Sequence, residues 1–150
     1  MAERELLVRS PGRTELAGNH TDHEGGHVIA SAVDRYVEAR VTPREDLVVR
    51  IESEGYRPFE VSLESLEPRE AEQGTTLSLV RGMAAQVVAR GAEPQGFDAH
   101  VTSTVLSGGG LSSSAAFELM LCEAMRALWG VGDISKMEFV HPSFLIRSVP

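Results

Sequence analysis

Three of the five histidines in this 150-residue chain lie within nine residues, in the stretch Asn-His-Thr-Asp-His-Glu-Gly-Gly-His at positions 19–27. Imidazole and carboxylate groups could ligate zinc, but the spacing matches none of the usual ligand pairs and no cysteine is near. A solvated polar loop is a second interpretation. A third is a polyol pocket, because Asn, Asp and His side chains offer donors and acceptors to vicinal hydroxyl groups. Arg13, six residues before Asn19, could steer an anion there or make a reacting hydroxyl more acidic.

A second stretch, Ser-Gly-Gly-Gly-Leu-Ser-Ser-Ser at positions 107–114, follows a predicted strand and opens a predicted helix. Glycines let the backbone approach a phosphate, and a helix N-terminus offers unpaired N–H groups and a partial positive charge. Serine hydroxyls add donors, and one of them could ligate Mg²⁺. The stretch therefore predicts an anion site, with a glycine turn and an N-cap serine as the simpler structural interpretation.

Three better-known glycine motifs fit this stretch poorly. A Walker A loop is excluded because no lysine follows the last glycine. A dinucleotide fingerprint is partly matched by Gly108 and Gly110, with Ser113 where a third small residue belongs and Asp133 about twenty residues on, but hairpins precede the loop. The serines also resemble a nucleophile elbow without its final glycine, followed only by Asp133 and His141 as possible acid and base.

Hydrophobic patterning predicts the elements that must position these loops. Strands are expected at 6–8, 28–33, 36–41, 47–51, 59–63 and 97–106, and helices at 76–90 and 112–129. Asp34-Arg35 reads as a tight turn, and the acidic stretch 66–74 as a solvated connection. Gly91 and Gly130 fit helix stops. Strands and helices in this order predict an α+β fold with a mixed sheet.

Composition narrows the functional classes. The net charge is −8, from 22 acidic and 14 basic residues, which disfavours a nucleic-acid phosphate binder. No secretory h-region and no apolar run of about 20 residues is visible, so we expect no membrane partner and a cytoplasmic protein. The single cysteine, Cys122, excludes an internal disulfide and predicts a buried thiol.

Taken together, the two loops resemble those of the GHMP kinases and, within them, the galactokinases. SPGRTELAGNHTDHEGGHVIASAVD (10–34) is similar to the galactokinase signature, and GGGLSSSAA (108–116) to a motif shared across the superfamily. TTLSLVRGMAAQVVARG (75–91) is similar to the helix that precedes this motif's strand. The resemblance covers about residues 6–135. It implies the N-terminal lobe of the GHMP kinase fold, with a ribosomal-protein-like βαβ unit, incomplete at the C-terminus.

The resemblance implies ATP-dependent phosphorylation of the anomeric hydroxyl of galactose, with Mg²⁺. Arg13 falls on the arginine that stabilises the transition state. The sugar-binding positions would be Asn19, His20, Thr21 and Asp22. The ATP-phosphate positions would be Gly108, Gly109, Gly110, Leu111, Ser112, Ser113 and Ser114, with Ser114 also ligating Mg²⁺. The charge on the transferring phosphoryl group would be balanced by Mg²⁺, the helix N-terminus and Arg13.

The chain also departs from the family pattern. Asn19 stands where Glu is usual and Glu15 where Asn is usual, which could shift sugar specificity because only an amide can also donate. His23 and Glu24 replace Tyr and Asn, and Leu106 replaces Pro.

The departures in length are larger. We expect a kinase N-terminal domain at 1–137, with its sugar loop at 10–27 and phosphate loop at 107–115, and a non-matching tail at 138–150 from truncation or frameshift. The family's catalytic Asp, metal-binding Glu and third motif have no match, so this chain alone is expected to be a poor catalyst. A galactose- and ATP-binding sensor, or a related kinase for another sugar, are the alternatives.

Overall fold

The structure, a computed structural model, describes residues 4–17, 29–106 and 113–131. Within these ranges five strands and two α-helices follow one another. They are β1 (Leu6–Ala17), β2 (Ile29–Pro43), β3 (Val48–Ser53), β4 (Phe59–Ser62), α1 (Thr76–Val88), β5 (Phe97–Ser103) and α2 (Ser113–Trp129). A 3₁₀ turn at Glu70–Glu72 precedes α1.

The strands form one mixed sheet in the order β1-β2-β5-β3-β4. β1 pairs antiparallel with β2, β2 with β5, and β3 with β4. β3 and β5 are parallel, with Val49 opposite Phe97 and Ser53 opposite Val101. Parallel neighbours need a long crossover, and here β4 and α1 supply it. The predicted mixed sheet and βαβ unit are confirmed.

The first two strands are longer than the sequence predicted. β2 runs unbroken through Asp34 and Arg35, so the tight turn predicted there is wrong. β1 likewise extends to Ala17, through part of the expected loop. In β1, pairing with β2 outweighs the turn preference of the residues in the expected loop. The pairing register shifts after Pro11 and after Glu15, as it does at a β-bulge. Pro11 is tolerated because β1 is an edge strand.

The core lies between one face of the sheet and the two helices. β5 alternates as predicted, with Phe97, Ala99 and Val101 buried. α2 contributes a buried stripe that includes Met120, Leu121 and Met125. Its last residue, Trp129, donates from Nε1 to the Gln95 carbonyl at 2.8 Å, which fixes the end of α2 against the loop that precedes β5.

The predictions for Cys122 and for the acidic connection 66–74 have different outcomes. Cys122 is buried as predicted, and burial raises the pKa of its thiol to about 12. The acidic connection 66–74 is more than a solvated surface, since Glu72 forms an ion pair with Arg81, a buried residue of α1. Neither helix in the described part of the chain is long and apolar enough to cross a membrane.

Candidate active site

The β1–β2 ribbon carries the first candidate loop. β5 pairs with β2 only over Val37–Pro43, so the outer parts of β1 and β2 continue as a two-stranded ribbon. Arg13 lies on this ribbon, opposite Ala32, and is half-buried. The predicted sugar residues Asn19, His20, Thr21 and Asp22 follow the end of β1 and lie outside the described residues.

The second candidate loop leads into α2. Ser113 and Ser114 form the start of this 17-residue helix, and Ser114 is exposed. The first turn of α2 contains no acidic residue, so nothing there opposes the partial positive charge of the helix end. The remaining predicted phosphate residues, Gly108 to Ser112, lie outside the described residues.

A cavity of about 690 Å³ opens beside the start of α2. Its wall is mostly apolar and combines residues of β2, the β3–β4 hairpin, the first turn of α1, β5 with Val105 and Leu106 beyond its end, and the start of α2. The lining residues are Val37, Ile51, Ser53, Glu54, Tyr56, Arg57, Phe59, Thr76, Leu79, Val101, Ser103, Val105, Leu106, Ser113, Ser114 and Phe117. An apolar cavity that ends at a helix N-terminus suits a ligand with a flat apolar part and an anionic part.

Sequence reasoning found some of the residues that line this cavity and missed others. The two α2 serines were predicted, whereas Tyr56 and Arg57 of the β3–β4 hairpin were not. The available signal was an aromatic and a basic residue directly after Gly55, whose φ of +83° marks the turn. Tyr56 is 70% exposed, which is unusual for an aromatic side chain with a purely structural role. Arg13 is not among the residues that line this cavity.

An ion-pair cluster holds the opposite end of β5. Arg44 donates to both carboxylate oxygens of Asp46, at 2.8 and 2.7 Å, and to Asp98 Oδ1 at 2.9 Å. These hydrogen bonds raise the pKa of Arg44, and the Arg44 guanidinium lowers the pKa of Asp46. Gly96, immediately before β5, donates to the Asp46 carbonyl at 2.8 Å. The cluster therefore holds the first residues of β5 in place, and β5 leads from there to the cavity.

No group of three or more His, Cys, Asp or Glu side chains with metal-site geometry occurs in the described ranges 4–17, 29–106 and 113–131. The zinc interpretation of residues 19–27 lies outside those ranges.

Two family models match the chain. The galactokinase galactose-binding signature matches residues 2–43, which include β1, Arg13 and β2. The N-terminal domain of the GHMP kinases matches residues 78–147, which include most of α1 and all of β5 and α2. The chain belongs to the galactokinase family of the GHMP kinases.

Curated galactokinases are similar over much of this chain. The Streptomyces coelicolor galactokinase is 37% identical over 133 residues, which are 87% of this chain and 34% of that protein. The Bacillus subtilis galactokinase is 36% identical over 114 residues, which are 75% of this chain and 29% of that protein. The chain therefore spans about a third of the length of these galactokinases.

Solved structures agree with this assignment. The Lactococcus lactis galactokinase complexed with galactose matches with a TM-score of 0.83 and 27% identity, over 96% of this chain and 37% of that one. The Methanococcus jannaschii mevalonate kinase matches with a TM-score of 0.78 over 96% of this chain and 46% of that one. At 13% identity the second match shows the GHMP kinase fold alone.

Proposed function

We propose that this chain provides the sugar- and nucleotide-binding part of a galactokinase, an enzyme that transfers phosphate from ATP to the anomeric hydroxyl of galactose. The observation that carries the proposal is the apolar cavity at the start of α2, in a chain whose residues 2–43 match the galactose-binding signature. The two features are what a kinase of this type needs: one site for each substrate.

The cavity fits ATP by its chemistry. Its apolar walls, among them Phe59, Leu79 and Phe117, suit a purine base, and Tyr56 at its edge could stack on one. The phosphates would lie toward the start of α2, where N–H groups and the hydroxyls of Ser113 and Ser114 offer donors. An acidic first turn would repel phosphate, and α2 has none.

Magnesium fits the same end of the cavity. Hard oxygen donors suit Mg²⁺, which keeps several waters and takes few protein ligands beside substrate phosphates. The exposed Ser114 hydroxyl can serve as one such ligand. When bound, Mg²⁺ neutralises charge on the phosphates. The chain's own part is to hold them with backbone N–H groups and serine hydroxyls.

The sugar would be held by residues that follow β1. Asn19 and His20 would bind the exocyclic hydroxyl, Asp22 would bind ring hydroxyls, and Thr21 completes the set. Arg13 would approach the transferring phosphoryl group and stabilise its charge. Support comes from the signature match over 2–43 and from the galactose complex of the Lactococcus lactis relative.

Binding calorimetry on the purified chain tests the proposal without depending on turnover. ATP should bind, and Mg²⁺ should tighten its binding. Ser114→Ala should lose most of the magnesium effect while binding metal-free ATP almost normally. Galactose should bind both proteins equally.

Ser65→Ala is the matched control, since Ser65 is an exposed serine outside the cavity. It should behave like the unmodified chain in every titration. Absence of any ATP or galactose binding would contradict the proposal. An undiminished magnesium effect in Ser114→Ala would remove the metal-binding role from this serine.

A further inference from the structure

Val105 and Leu106, which follow β5, form one side of the cavity. Val105 is buried in that wall, and Leu106 next to it is 71% exposed. An exposed leucine at a cavity edge has few contacts to hold it, so its position depends on the backbone before it. Two hydroxyl side chains, Ser103 and Thr104, lie at that point.

Thr104 fastens this backbone to β2. Beyond the last residue of β5, the Tyr36 N–H donates to Thr104 Oγ1 at 2.9 Å, and the Thr104 N–H donates to the Tyr36 carbonyl at 2.9 Å. The Thr104 hydroxyl also lies 3.4 Å from that carbonyl, as a donor. Thr104 therefore continues the pairing with β2 by one residue beyond the end of β5, and its hydroxyl takes the place of a backbone carbonyl as the acceptor for the Tyr36 N–H.

Ser103 forms hydrogen bonds with Val105, the residue that follows Thr104. Its Oγ accepts from the Val105 N–H at 3.1 Å and donates to the Val105 carbonyl at 3.1 Å. The two hydroxyls together fix the backbone over Ser103–Val105, immediately before Leu106.

The anchor on β2 is itself held independently of Thr104. Tyr36 pairs with Pro11 of β1, and the guanidinium of Arg9 lies 3.8 Å from the centre of the tyrosine ring. Arg9 also pairs with Glu38 at 3.3 Å. Tyr36 is therefore a fixed point on the ribbon, and Thr104 joins the cavity wall to that point.

We propose that Thr104 is a positioning residue that, through its bonds to Tyr36, holds Val105 and Leu106 as the cavity wall against which ATP binds. The proposal rests on the proposed function, since it assigns ATP to the cavity. Without the hydroxyl, the Tyr36 N–H loses its acceptor, and of the Thr104–Tyr36 hydrogen bonds the one from the Thr104 N–H to the Tyr36 carbonyl remains. Part of the binding energy of ATP is then consumed in ordering the wall.

The test compares Thr104→Val, which keeps the shape and removes the hydroxyl, with Thr104→Ser, which keeps the hydroxyl. Thr102→Val makes the same change on an exposed β5 residue outside the cavity. Calorimetry with MgATP and with galactose gives the two dissociation constants, and amide hydrogen exchange reports on Tyr36 and Val105. Should Thr104→Val not fold, Thr104→Ala enters the same comparison.

We expect Thr104→Val to weaken ATP binding about three- to tenfold, the effect of losing one ordinary hydrogen bond. Galactose affinity should be unchanged, and the Tyr36 amide should exchange faster. Thr104→Ser and Thr102→Val should stay within about twofold of the unmodified chain. Equal ATP affinities in Thr104→Val and the unmodified chain would overturn the proposal, as would an equal loss in Thr102→Val.

The outcomes also separate this proposal from the proposed function. If the unmodified chain binds no ATP, the proposed function fails for this chain and the assignment of ATP to the wall fails with it. Faster exchange of Tyr36 in Thr104→Val would then still show the hydroxyl fixing the segment. Normal ATP binding by the unmodified chain, unchanged in Thr104→Val, would instead overturn the role of Thr104 alone.

Discussion

Arg81 and Glu72 form a two-point ion pair, with Nε to Oε2 at 2.8 Å and Nη2 to Oε1 at 2.9 Å. Arg81 lies on α1 and is 3% exposed, and it also donates to the carbonyls of Ser62 and Ser65. One side chain thus joins α1, the 3₁₀ turn and the segment after β4. α1 and β4 both belong to the crossover between the two parallel strands, and both contribute residues to the cavity wall. The ion pair between Arg81 and Glu72 therefore stabilises the elements that form this wall.

Replacing Arg81 by Gln should lower the free energy of unfolding by about 3 kcal/mol, because a partner of a buried ion pair is removed and two carbonyls lose their donor. Urea denaturation followed by circular dichroism measures the change. Arg69→Gln is the control, since Arg69 approaches the same Glu72 from the surface at 3.8 Å and is 52% exposed. It should change stability little. Equal effects of the two variants would contradict the structural role of Arg81.

Stability should fall in acid partly through Glu72. Hydrogen bonds from Arg81 lower the pKa of this carboxyl from its ordinary value of 4.5. A lowered pKa in the folded state means that the contribution is complete above pH 4.5 and is lost as the pH falls through the folded-state value. Glu72→Gln should therefore show a flatter fall in stability below pH 4.5 in urea titrations from pH 3 to 7. Parallel curves for the two proteins would show that Glu72 does not contribute.

A side chain at Gly96 should destabilise the fold. A Cβ atom there would lie 2.5 Å from the Val48 carbonyl oxygen and 2.6 Å from that of Asp46, and both are backbone atoms that cannot move aside easily. Gly96→Ala should cost about 1–3 kcal/mol of unfolding free energy, as overpacking does in other proteins. Glu93→Ala, an exposed change in the same loop, should stay within about 0.5 kcal/mol. Thermal denaturation that shows no difference between them would contradict the close approach.

Asn19 should set which sugar is accepted. If Asn19 binds the exocyclic hydroxyl, a neutral amide tolerates a carboxylate at that position, whereas Glu would repel it. Asn19→Glu should therefore weaken galacturonate binding at least about tenfold more than galactose binding, measured by calorimetry at neutral pH. Asn19→Gln, which stays neutral, is the control and should show no such difference. An equal response of the two sugars to Glu would mean that residue 19 is remote from the exocyclic group.

The elements with strong local patterns were predictable. α2 was expected at 112–129 because this stretch is rich in the helix formers Ala, Leu, Met and Glu and Gly130 ends it, and the structure has it at Ser113–Trp129. β5 was expected from the alternation of Phe97, Ala99 and Val101. The turn at Asp34-Arg35 was predicted wrongly, because a one-dimensional pattern does not include β1, with which β2 pairs on both sides of these two residues.

By itself, the sequence determined the mixed sheet, the burial of Cys122 and the family, because residue types and spacings carry that information. Only the tertiary structure decided which residues distant in the sequence contact one another. It brought Tyr56 and Arg57 to the same cavity as Ser113 and Ser114, joined Thr104 to Tyr36 over 68 residues, and made a glutamate that was predicted to be solvated the partner of a buried arginine. These contacts arise from strand order and helix packing, which bring together residues that no local spacing relates.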